Sequence, residues 1–179
     1  MPIAFNGSGT VTGISAGGLP DGCITAAELA TGVGGKFKQV VGAVYSSNIS
    51  YNSTSTYADT GLTCNITTSA SGHAGVLALV SGALGGIGTT SGGESAAIMN
   101  LVRDSTELTF VSNGSWAGNV SGQQVSGHNS QSLIYFDSGT SASTTYTYKV
   151  QFKKTSDTVQ ATWNNYNGRS LIHLIEVGS

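Results

Sequence analysis

The chain has 179 residues, 39% of them apolar and only 9% charged, with a formal net charge of -2. That length suits one domain with its own core, while the charge provides no basic stripe for phosphates and no polybasic cluster for an anionic membrane, which argues against nucleic-acid and membrane partners. No apolar run approaches the about 18 residues of a membrane span and no basic region precedes an apolar stretch at the N-terminus, so a soluble chain made in the cytoplasm is expected.

Residues 1–35 read as an extended arm. Gly7, Gly9, Gly13, Gly17, Gly18, Gly22, Gly32, Gly34 and Gly35 punctuate it. Glycine loses the most backbone entropy on ordering, and the sparse apolar residues Ile3, Phe5, Val11, Ile14, Leu19 and Ile24 cannot offset that cost alone. Order in the arm therefore requires a partner surface, most simply a copy of the same chain. Within the arm, Leu19-Pro-Asp-Gly22 is a turn signal. Thr25-Ala-Ala-Glu28 fits a capping box opening one short helix, with Gly32 as its stop.

From Phe37 onward the pattern is β. Strands are expected over 37–45, over 57–67 with a bulge or bend at Thr60-Gly61, and over 76–80. The last of these is almost continuously apolar, which predicts a central strand with both faces covered. Further strands are expected over 95–102, 107–111 and 131–136, over 145–153, where Tyr146, Tyr148, Val150 and Phe152 alternate with polar residues, and over 159–163 and 171–177. Loops fall over 46–56, 81–93 and 112–130. About nine short strands without alternating helices predict an all-β fold, an antiparallel jelly-roll-like β-sandwich over 36–179.

The phrase Ile14-Ser-Ala-Gly-Gly-Leu-Pro-Asp-Gly-Cys-Ile-Thr-Ala-Ala-Glu-Leu-Ala-Thr-Gly32 resembles a segment that recurs in structural proteins of tailed bacteriophages, where it precedes a Ser/Thr-rich β-domain of tail fibres and other virion proteins. The likeness continues through Lys38-Gln-Val-Val41, Asp59-Thr-Gly-Leu62, Val76-Leu-Ala-Leu-Val80, Leu101-Val-Arg-Asp-Ser105 and Ile175-Glu-Val-Gly178. It carries no catalytic signature. It implies a trimeric component of the virion surface, contacting capsid or tail proteins.

Signals for chemistry are weak. His73, His128 and His173 lie far apart with no HxxxH or HxH spacing, and no metal or cofactor is expected. Near a trimer axis, however, any of them would recur three times. Gly13-Ile-Ser-Ala-Gly17 matches the nucleophile elbow but lacks the buried strand and long helix that motif needs. The glycines of 82–88 lack phosphate-loop order. The carboxylates Asp104, Glu107, Asp137, Asp157 and Glu176 are scattered, so no glycosidase pair is read from them. Cys23 and Cys64, without CxxC spacing, read as reduced structural thiols. Sequons at Asn48, Asn52, Asn65, Asn113 and Asn119 follow from composition.

Aromatic residues offer the alternative. Tyr45, Tyr51 and Tyr57 bracket one loop, Trp116 lies in another, and Trp163 and Tyr166 flank Asn164-Asn165 and Asn167. Rings beside amides suit sugar recognition, so Trp116, Trp163 and Tyr166 are candidate ligand or interface aromatics of a module binding host-surface glycan. For Trp163, burial at the end of a core strand is the favoured reading. The leading expectation is a non-enzymatic homotrimeric virion protein, either a capsid decoration (cement) protein or a short fibre.

Overall fold

Period-2 alternation governs this chain: β10 buries Tyr148, Val150 and Phe152, and β12 buries Ile172, Leu174 and Glu176, while the residues between them turn outward. The structure, a computed structural model, describes residues 36–88, 97–113, 119–120, 123–124, 126–155, 159–164 and 167–179. The arm over 1–35 and its short helix therefore lie outside the described residues, and the fold concerns the unit Phe37–Ser179. Its strands are β1 (Phe37–Tyr45), β2 (Ile49–Tyr51), β3 (Ala58–Thr67), β4 (His73–Gly88), β5 (Ala97–Arg103), β6 (Thr106–Asn113), β7 (Asn119–Val120), β8 (Gln123–Gln124), β9 (Ser126–Asp137), β10 (Thr145–Lys154), β11 (Val159–Trp163) and β12 (Ser170–Gly178).

The first sheet runs β1-β12-β4-β9, and β11 with β2 extends it beside the C-terminal half of β4. The second sheet runs β3-β10-β5-β6, and β7 pairs with β8 alone. Every pairing is antiparallel. With β2, β7, β8 and β11 set aside, eight strands remain, four in each sheet, and their chain order gives 1-8-3-6 facing 2-7-4-5. This is the double Greek key of a jelly roll, the fold expected from the sequence.

Between the sheets lies one core. Phe152 of β10 meets Trp163 of β11 with ring centroids 6.2 Å apart and Tyr51 of β2 at 6.0 Å. Around these rings pack Leu62, Ile66, Val76, Leu84, Met99, Leu101, Ile172 and Leu174, all buried. The bend expected near Thr60-Gly61 is a bulge: Lys149 faces Thr63 and Gln151 faces Asp59, so three residues of β3 oppose Val150 alone. Gly61 takes φ +82° there beneath the ring of Tyr45, and Thr60 Oγ1 donates to the Val150 carbonyl at 2.8 Å.

Three expected loops contain strands. β2 interrupts 46–56, β4 continues through Gly88 where a loop from Ser81 was expected, and β7, β8 and the start of β9 fall within 112–130. Glycine and serine have low strand propensity, which makes these stretches read as loops. In β4 the ladder overrides that preference, because Leu84 through Ile87 is paired on one side with β11 and on the other with β9, and Gly88 with β11. Glycine also serves packing there, since the six-membered ring of Trp163 lies directly over Gly82.

A methyl group at Gly82 has no room against that buried ring. Gly82→Ala is expected to lower unfolding stability by about 1–3 kcal/mol, measured from urea midpoints at unchanged slope.

Candidate assembly interface

The inner face of the first sheet meets the core; its outer face meets nothing among the described residues. Antiparallel register places directly opposed residues on the same side, and three rows of four cross β1, β12, β4 and β9. Val40, Ile175, Leu77 and Phe136 form one row, Gly42, His173, Leu79 and Ile134 the next, and Val44, Leu171, Ser81 and Ser132 the third. Val40 is 61% exposed, Val44 66% and Ile134 71%, and Phe37 at the head of β1 is 67% exposed. No carboxylate, ammonium or guanidinium group occupies any of the twelve positions. The rings of Phe136 and His173 lie across Gly75 and Gly42, where a glycine leaves them room, and both remain exposed.

Strand spacing of about 4.8 Å and a rise of about 3.4 Å per residue make this face roughly 20 Å by 25 Å. That area matches the upper end of the largest apolar patches on monomers, about 300–600 Å², which are often functional. The expectation for 76–80, a central strand covered on both faces, is met on one side only. Val76, Ala78 and Val80 are buried, whereas Leu77 and Leu79 are half-exposed on the outer face. β12 has the same two-faced apolar character, with Leu171, Ile175 and Val177 outward and Ile172 and Leu174 inward. Strands apolar on both sides are the pattern of sheets with both faces buried, and the described residues bury only one face here.

Beneath one end of this face lies a buried polar strut. Glu176, on the inner side of β12, is fully buried. Its Oε1 accepts from the Ser69 amide at 2.8 Å and from His73 Nδ1 at 2.9 Å, and its Oε2 accepts from Gln39 Nε2 at 2.7 Å and Ser69 Oγ at 2.9 Å. Burial pushes its pKa up, but the donors from Gln39, Ser69 and His73 outweigh burial and hold the carboxyl at about 2, below the ordinary 4.5. His73 Nε2 continues to Thr140 Oγ1 at 2.8 Å. Hydroxyl, imidazole and carboxylate thus stand in series, yet the imidazole side chain is only 4% exposed, and the series ties the 138–144 turn to β4, β12 and β1.

A second knot fixes the end of β9. Arg103 Nη1 donates to both oxygens of Asp137 at 2.7 Å, and Tyr148 Oη and the Gly139 amide donate to the same carboxylate at 2.7 Å and 3.0 Å. Burial and the Asp137 charge push the Tyr148 phenol well above its ordinary value. The arrangement positions the strand that carries Ile134 and Phe136. A cavity of about 210 Å³ opens at the β3 bulge, lined by Asp59, Gly61, Leu62, Thr63, Lys149 and Val150. That is below the about 300 Å³ at which small-molecule sites begin.

The sequence candidates are placed unevenly. Ile3, Phe5, Val11, Ile14, Leu19, Ile24, Trp116 and Tyr166 lie outside the described residues, as do Cys23 and Asp157. Trp163 is corrected as a ligand aromatic: it is fully buried, its Nε1 donates to Ser170 Oγ at 3.1 Å, and its ring lies in the core against Phe152. Tyr45 and Tyr51 pack against the core, and Lys153 sits 4.4 Å above the ring of half-buried Tyr57. Cys64 is a buried free thiol whose pKa burial raises. His173 is the candidate that lies within the outer face; His73 and Glu176 form the strut below it. The outer face was missed by the sequence reading; the signal that could have found it is the interleaved apolar residues of 37–45 and 171–177.

No protein-family model and no curated protein matches the chain. Among solved structures, the crystal structure of the infectious bursal disease virus VP2 subviral particle is similar over 79% of this chain and 38% of that chain, at 12% identity and a TM-score of 0.30. The chain spans well under half the length of that protein. At that score the likeness carries no argument, and the fold is defined by strand order alone.

Because the folded Glu176 carboxyl is depressed, its contribution is fully present above pH 4.5 and is lost as pH falls through about 2. Glu176→Leu is expected to cost on the order of 3 kcal/mol at neutral pH, since it leaves buried donors unpaired, and to flatten the acid dependence of the urea midpoint between neutral pH and pH 2.

Proposed function

We propose that the protein is a non-enzymatic structural subunit of a tailed-phage virion, a homotrimer that works by assembly as a capsid decoration or cement protein or as a short fibre on the particle surface. The observation that carries this reading is the uncharged apolar outer face of the first sheet, on strands whose sequence is apolar on both sides. A face of this size and composition favours protein over water, and the absence of charge lets copies approach without repulsion. The jelly-roll order, the hydroxyl-rich composition and the resemblance of 14–32 and later segments to phage structural proteins support the virion setting. Glycan recognition has lost Trp163 to the core, and its other candidates, Trp116 and Tyr166, lie outside the described residues.

A three-fold ring of copies buries three such faces and would give the glycine-rich leader the partner surface that its sequence calls for. Placement on the particle is read from copy number: hundreds per virion identify a capsid decoration, a few dozen at most a tail component. Imaging of the particle gives that count directly.

Val40 and Ile134 both project freely from the isolated domain, so acidic residues there leave its fold within about 0.5 kcal/mol of the parent. The double variant Val40→Asp, Ile134→Asp is expected to be a folded monomer by light scattering, where the parent is a trimer. A parent chain that is itself monomeric at micromolar concentration would remove the reading.

A further inference from the structure

The first sheet ends in β1, and beside the far half of β4 in β2, on one side and in β9 on the other. Edge strands in stable proteins are kept short, bulged, or guarded by Lys or Pro, because an open row of amides and carbonyls recruits other strands. β9 has none of these devices. It runs for 12 residues with Ser, Gly, His, Asn and Gln over its first half, carries no Lys, Arg or Pro, and keeps unbroken register with β4 from Ile87–Ser126 to Val76–Asp137. Its other edge has no strand partner among the described residues. Its single charged residue, Asp137, is buried and engaged by Arg103.

The leader contains a segment of matching length and character. Its odd positions Ile3, Phe5, Gly7, Gly9 and Val11 are apolar or glycine, and its even positions Ala4, Asn6, Ser8, Thr10 and Thr12 are small or polar. That is a period-2 strand pattern, and the segment is uncharged like the strand it faces. Ten residues extend to about 34 Å, close to the about 40 Å of β9. The residues from 13 to 36 would span up to about 80 Å if fully extended, and less by the length that the expected turn and short helix take up.

Resting on the assembly reading above, we infer that residues 3–12 of one copy add as an edge strand to β9 of the next copy, extending its first sheet and covering the open edge beside the apolar outer face. The leader joins the domain at Phe37, the start of β1, on the side of the sheet opposite β9. A contact that leaves from one edge and ends on the other forms a ring when each leader reaches the next copy around a closed rotation, and a pair when two copies exchange leaders; the three-copy assembly proposed above corresponds to the ring. The area also calls for it. A face of roughly 500 Å² falls short of the about 800 Å² per partner that a standard stable interface buries. Main-chain pairing and the side chains of Ile3, Phe5 and Val11 supply the remainder.

The test is hydrogen–deuterium exchange on the full-length protein, read at peptides from 126–137, together with light scattering. Gly9→Pro, made together with Thr10→Pro because neighbouring strand amides face opposite edges, removes the leader amide that pairs with β9 and blocks pairing, at positions outside the described residues. The expected result is exchange about 10-fold faster in 126–137 for the variant, weakened trimer, and return of protection when a synthetic peptide of residues 1–13 is added. Unchanged exchange in this double proline variant overturns the proposal, and so does protection of 126–137 in a parent chain that remains monomeric, which marks a leader folded on its own domain. If Val40→Asp, Ile134→Asp abolishes the trimer while the double proline variant alters neither exchange nor mass, strand addition fails and the outer-face reading stands.

Discussion

Water is kept from one side of the first sheet by the second sheet, and from the other side by nothing in the described domain. Strands β4 and β12 are nonetheless apolar on both sides, with Leu77, Leu79, Leu171 and Ile175 turned away from the core that Val76, Ala78, Ile172 and Leu174 build. Burial yields about 25 cal/mol per Å² of apolar surface removed from water. A face of roughly 500 Å² thus represents on the order of 10 kcal/mol available to whatever covers it, before association entropy is subtracted.

The polar groups of the domain serve the same end by stiffening the sheet from within. Glu176 gathers donors from β1, the 68–72 turn and β4 onto β12, so three strands of the outer face are locked in register at one end. Asp137 does the same for β9 through Arg103 and Tyr148. Both carboxylates are buried with their hydrogen-bonding capacity filled, the condition under which a buried charge is tolerated. A rigid flat face loses little entropy when it docks, and this is where such internal cost is recovered.

Much of the fold was readable because alternation is a strong signal where side chains are large. The bounds of β1 and β11 match the expected strands, and β10 and β12 agree within a residue at each end, since Tyr, Val, Phe, Ile and Leu recur there at period two. Gly61 announced the β3 bulge for the same reason that any L side chain resists φ +82°. The second half of β4 was not readable, because Gly82, Gly85 and Gly86 give no pattern and their conformation is imposed by neighbours on both edges. The run 76–80 was readable as a two-faced strand, but sequence alone could not say that the described domain covers only one of its faces. Trp163 shows the limit of composition: neighbouring Asn residues resemble a sugar site, while Ser170 and Phe152 hold the ring in the core.

The central claim is that the outer face of the first sheet is covered by other copies of the chain. Sedimentation equilibrium of the full-length protein across micromolar concentrations tests this most directly, combined with oxidative footprinting of Val40, Ile134 and Phe136. The account predicts a three-copy mass and side chains shielded in that species. A single-copy mass at every concentration, or a trimer in which those three residues react as freely as in the isolated domain, would contradict it.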